Sequence, residues 1–72
     1  MRINPTALRV IRERTGLTQT AVAQAAGIHR PNLSKLETGK RKGTPEQIRR
    51  LADVLRVSID AIAYLHPDEQ PA

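Results

Sequence analysis

Residues 17–40 read LTQTAVAQAAGIHRPNLSKLETGK, and the way this run divides decides the fold. Thr18 can accept a backbone hydrogen bond as a helix cap, and the mostly small residues from Gln19 to Ala26 follow it. Gly27 supplies the backbone freedom for a tight turn. A second helix begins after His29 and runs to about Thr38, where Gly39 is placed to take the left-handed conformation that closes it. Small size at Ala23 lets the two axes approach, while Val22, Ile28, Leu33 and Leu36 can face one interior. Gln19 to Thr38 therefore reads as two helices joined through Ala26-Gly27-Ile28-His29.

Working outward, the same start signals recur. Asn4 followed by Pro5 opens a helix to about Arg14, which Gly16 ends. Thr44-Pro45-Glu46-Gln47 is the strongest signal: a cap, a proline at the first helical position, and a glutamine at the third to complete a capping box. Ile48, Leu51, Ala52 and Leu55 then mark one buried helical face. Ser58 is expected to cap a fifth helix containing Ile62, Ala63 and Leu65, which Pro67 stops. Apolar pairs five positions apart bracket four of these caps: Ile3 with Leu8, Leu17 with Val22, Ile28 with Leu33, and Val57 with Ile62. Such pairs are hydrophobic staples, which set the angle at which a chain enters its helix.

Seventy-two residues allow one domain, and no cysteine is present to staple it. With 39% apolar residues and Tyr64 the only aromatic, the core is built from Leu, Ile, Val and Ala, which suits closely packed short helices and leaves little room for a cofactor cavity. No segment resembles a signal peptide or approaches the roughly 18–20 apolar residues of a membrane span, so the chain is expected to be cytoplasmic, without membrane contact. The net charge of +5 is concentrated: Arg30 to Arg50 hold seven Lys and Arg against two Glu, and the remaining charges cancel. That concentration attracts phosphate backbones, although a basic face also serves solubility alone. No aromatic side chains interleave the cations, which argues against binding single strands or RNA by base stacking.

The run Leu8-x-x-Ile11-Arg12-x-x-x-x-Gly16-Leu17-Thr18-Gln19-x-x-Val22-Ala23, continued by Gly27-Ile28, Leu33-Ser34-Lys35-Leu36-Glu37-x-Gly39-Lys40 and Leu51-Ala52-x-x-Leu55-x-Val57, resembles the lambda and 434 repressor and Cro superfamily of helix-turn-helix domains. The resemblance covers residues 8–65 and implies an all-α bundle of five helices, the third reading the major groove and the second crossing the phosphate backbone. It gives a DNA-binding domain over residues 1–66 and a flexible tail over 67–72. By the same resemblance, Gln19 matches a phosphate-touching glutamine, and Arg30, Pro31, Asn32 and Lys35 match base-reading positions. Arg30 and Lys35 suit guanine, or contact phosphate only; Asn32 suits adenine or phosphate; Pro31 either touches a thymine methyl or stiffens the first turn. Lys40 and Arg41 match a backbone-contacting loop, which Lys42 extends. Glu37 is implied to pair with Arg12, joining the third helix to the first, although in isolation it could equally be a solvated acid.

Two departures from the pattern stand out. His29 replaces the usual Ser or Thr cap, and Ala21 replaces a frequent acidic residue at the third position of its helix. The resemblance implies a transcriptional regulator, most simply a repressor, that binds double-stranded DNA as a weak homodimer or as a dimer formed on DNA. Arg56, Val57, Ile59 and Tyr64 are its candidate dimer contacts, and Tyr64 could instead close the core. The competing reading is a protein-binding adaptor or antitoxin of the same architecture, with a protein partner and secondary DNA binding. Enzymatic readings find little to stand on: His29 and His66 lack metal-ligand spacing, Ser34 and Ser58 lack a readable triad, and Gly39 to Gly43 is no phosphate loop. No catalytic residue, metal or cofactor is expected.

Overall fold

The computed structural model describes residues 1–65. A short strand, β1 (Arg2–Ile3), leads into four α-helices: α1 (Pro5–Arg14), α2 (Gln19–Ala26), α3 (Arg30–Glu37) and α4 (Pro45–Leu55). A single 3-10 turn (Ile59–Ala61) and a second strand, β2 (Ala63–Tyr64), follow. His66 and the expected tail, 67–72, lie outside the described residues.

Helix starts follow local cap chemistry. Asn4 Oδ1 accepts from the Ala7 amide at 3.2 Å, and Thr18 Oγ1 from the Ala21 amide at 3.1 Å. The capping box at α4 is complete, with Gln47 N to Thr44 Oγ1 and Thr44 N to Gln47 Oε1 both at 3.1 Å. His29 begins α3 with extended backbone but gives it no side-chain bond. Gly27, at φ 68°, turns the chain from α2 toward α3. The staple pairs at α1 and α3 are buried at both ends, whereas Leu17 remains 37% exposed over its buried partner Val22.

α2 packs against both α3 and α4, and α1 packs against α3. Leu8, Val22, Leu33, Leu36, Ile48, Leu51 and Ile62 form the centre of the core. The core thus covers one edge of α3 and leaves the other to solvent.

The expected fifth helix is not formed, so the five-helix architecture is corrected to four α-helices with a small antiparallel ladder. Ser58 does not cap the backbone; its hydroxyl donates to the Asp60 carboxylate. Only the 3-10 bonds from Ala61 N to Ser58 O and from Ile62 N to Ile59 O are made before the chain extends. β1 then supplies a better partner for that backbone. Ala63 pairs with Ile3, Tyr64 with Arg2, and the Asn4 amide donates to the Ile62 carbonyl at 2.8 Å. A helix ending before Pro67 would have had only about two turns over which to recover its nucleation cost. Leu65, expected within that helix, is 41% exposed.

Candidate nucleic-acid interface

At about 100° per residue, α3 divides into two arcs. Leu33, Leu36 and Glu37 fall together and are buried. Arg30, Pro31 and Lys35 are exposed on the remaining arc, with Arg30 at its edge next to Glu37 and Asn32 half-buried at its other margin. Ser34 is also half-buried, and on the helical wheel it falls between Arg30 and Pro31. In the sequence Ser34 stands within the family-like run and as a serine without a triad; helical spacing from Arg30 is the signal that places it on this arc. A shallow surface depression between α2 and α3, lined by Thr20, Gln24, His29, Arg30 and Pro31 among others, opens beside the exposed arc.

Beneath that arc runs a polar network. Arg12 forks onto Glu37, with Nε to Oε2 at 2.6 Å and Nη2 to Oε1 at 3.0 Å. Its Nη1 also donates to the Leu17 carbonyl at 2.9 Å, so one guanidinium from α1 ties down the residue before the α2 cap and the last residue of α3. Glu37 is 4% exposed, and Gln19 Nε2 supplies it with a further donor at 3.1 Å. These bonds offset the cost of burying the carboxylate. The hydrogen bonding of Arg12 to Glu37 raises the Arg12 pKa above its ordinary value, against an opposing effect of burial. Gln19, expected to bind phosphate, thus has its amide nitrogen engaged within the protein, and its Oε1 accepts from Arg30 Nη1 in a long contact of 3.4 Å.

Lys40, Arg41 and Lys42 are exposed in the loop after α3, off the helix that carries the other basic candidates. The amides of Lys40 and Arg41 both donate to the Lys35 carbonyl, at 2.9 and 3.2 Å, which folds the loop onto the helix end. Gly43 closes the loop at φ 72°, where an added Cβ would lie 2.9 Å from Leu36 Cδ2. A side chain there would have to displace Leu36, which is itself buried in the core. Arg49 and Arg50 are exposed on α4, and Arg50 pairs with Glu46 at 2.7 Å.

The candidate dimer residues lie elsewhere, between the end of α4 and β2. Arg56 is exposed and takes a left-handed conformation, φ 57°, at the end of α4. Val57 and Ile59 are half-buried against the core, and half-buried Tyr64 stands opposite Arg2 in the ladder. Among the described residues, no group of three or more His, Cys, Asp or Glu side chains could hold a metal ion, and no helix is long and apolar enough to cross a membrane.

The family model described as "Helix-turn-helix domain" matches residues 6–65. Among solved structures, the chain is similar to the restriction-modification controller protein C.AhdI from Aeromonas hydrophila, with 28% identity over 79% of this chain and 86% of that one, at a TM-score of 0.77. The clp gene regulator ClgR from C. glutamicum is 29% identical over 79% of this chain and 75% of its own, at 0.74. The N-terminal DNA binding domain of SinR from Bacillus subtilis shares the fold at 19% identity, covering 88% of this chain and 99% of that one, at 0.73. No curated protein matches the sequence.

Proposed function

This chain belongs to the helix-turn-helix domain family, and from that premise we propose that it binds double-stranded DNA sequence-specifically and represses transcription, with α3 in the major groove. One observation carries the reading. α3 buries Leu33, Leu36 and Glu37 while leaving Arg30, Pro31 and Lys35 open to solvent, in the part of the chain where its positive charge is concentrated. An arginine at the first helical position can make a forked contact to guanine O6 and N7, and Lys35 can donate to the same edge as a point charge. Asn32 would pair with adenine or phosphate, and Pro31 would contact a thymine methyl. Lys40, Arg41 and Lys42 would bind phosphate, contributing affinity and register without sequence information. The relatives described as a controller protein and a gene regulator support a regulatory role for this domain.

Selection of bound sequences from random duplex DNA at near-physiological salt tests the reading. A defined motif should emerge. Lys35→Ala should then weaken binding to that motif about tenfold, with little effect on unrelated duplexes. Lys40→Ala should weaken binding to every duplex and lower the slope of log affinity against log salt by about one. Recovery of unenriched random sequence would overturn the proposal.

A further inference from the structure

His29 stands at the leading end of α3, one residue before Arg30. Its carbonyl accepts from the Asn32 and Leu33 amides at 2.9 and 3.1 Å, but its side chain makes no cap bond, unlike those of Asn4, Thr18 and Thr44. The residue is exposed and borders the depression between α2 and α3, whose α2 wall carries Thr20 and Gln24 and whose α3 wall carries Arg30 and Pro31. The charged groups on this side are mostly cationic. Arg30 follows directly in the chain, and from α4 the Arg50 guanidinium reaches the turn, with Nη1 3.4 Å from where a Cβ on Gly27 would lie and Glu46 paired to it at 2.7 Å. Arg12 of α1 and Glu37 of α3 are committed to each other. Among the described residues, no carboxylate pairs with His29.

We propose that His29 is a proton-dependent phosphate ligand: its imidazolium donates to a phosphate oxygen of the duplex, so that affinity for DNA rises as pH falls through the histidine range. This contact presupposes the duplex binding proposed above. In a helix-turn-helix the first helix of the motif crosses the phosphate backbone and the second enters the groove by its N-terminal residues. A side chain between the α2 and α3 walls, at the leading end of α3, therefore meets the strand that borders the groove. The imidazolium offers two donors and a charge to that strand, whereas the neutral ring offers one donor and no charge. Histidine ordinarily changes charge between about pH 5 and 8. Phosphate favours the protonated ring, so binding takes up a proton wherever the free ring is neutral, and the contribution is largest at the acid end and lost as pH rises. The serine or threonine usual at this cap carries no charge to lose.

Fluorescence anisotropy with labelled duplexes tests the contact. The selected duplex and an unrelated one are titrated from about pH 5.5 to about pH 8 at several salt concentrations with wild type, His29→Gln and His29→Lys, and far-UV circular dichroism verifies that each protein is folded at each pH. Wild-type affinity should fall about three- to tenfold across this range on both duplexes, with a salt slope steeper by about one at the acid end. His29→Gln should bind at every pH as the wild type does at the alkaline end, and His29→Lys as it does at the acid end. Wild-type binding indifferent to pH, or a pH dependence that survives in His29→Gln, would overturn the proposal. A fall confined to the selected duplex would make His29 a base ligand and overturn the phosphate assignment. Because every duplex carries phosphate, the two readings fail separately. Unenriched selection, with a pH dependence that His29→Gln abolishes, ends sequence-specific reading and leaves this contact standing; a defined motif bound equally at every pH ends only this contact.

Discussion

Glu37 is the one buried charged residue among the described residues, and every side-chain hydrogen bond to its carboxylate comes from outside its own helix. Removing its partner is therefore worse than removing the pair. Arg12→Ala would leave a carboxylate at 4% exposure with only the Gln19 amide, and should cost about 3–5 kcal/mol in urea unfolding. The double variant Arg12→Met, Glu37→Leu should recover most of that loss, because it leaves no unpaired charge in the core. Equal destabilisation in the two variants would show that the pair acts through packing. The arginine's pKa is raised in the folded state. Its contribution is thus fully present below the ordinary arginine value and is lost only as pH rises through the folded one, so deprotonation of Arg12 gives no switch near neutrality. Sequence resemblance suggested this pair, but the Leu17 carbonyl and the Gln19 amide were not legible in it. A backbone oxygen carries no residue-type signal, and the direction in which a glutamine amide points is decided by tertiary neighbours.

At the scale of elements, what was legible is what is local. Asn4, Thr18 and Thr44 begin their helices through bonds to residues three positions on, so the sequence order alone locates the starts. Thr44→Ala removes the hydroxyl half of the capping box and should cost about 1 kcal/mol. α3 offers the opposite case, because His29 lies in extended backbone at the cap position and its side chain accepts no bond from the helix. His29→Ser should raise stability by about 0.5–1 kcal/mol, and both changes can be read in one series of urea titrations. A gain at His29 no larger than that from His29→Ala would mean that the first turn of α3 is already satisfied by other means. Ser58 carries the same sequence signal as Thr18 and yet starts no α-helix. The difference is β1, more than fifty residues upstream, whose backbone captures Ala63 and Tyr64. A long-range pairing of two residues on each side leaves no periodicity for a sequence reading to find.

For the whole molecule, size and charge together bear on how a site would be read. The described structure extends 32 × 20 × 19 Å and presents one α3, whereas successive major grooves on one face of a duplex are about 34 Å apart. On the proposed function, a single copy would place α3 in one groove only, which offers a few base pairs and limited discrimination. Two copies related by a two-fold axis would double that reading, and their symmetry would appear in the DNA as inverted half-sites. Sequences selected by the wild-type chain should therefore contain two inverted copies of one short motif, with centres about one helical turn, or a multiple of it, apart. Binding to the intact site should be cooperative in protein concentration, and deleting one half-site should cost more than half of the binding free energy. Arg56 is exposed at the end of α4. Reversing its charge with Arg56→Glu should reduce cooperativity on the paired site while leaving affinity for a lone half-site within about twofold, if the residues around it form the contact between copies. A selected pool with one asymmetric motif, saturated by a single copy per duplex in analytical ultracentrifugation, would show that one α3 suffices and that the segment from Arg56 to Tyr64 is free for another use.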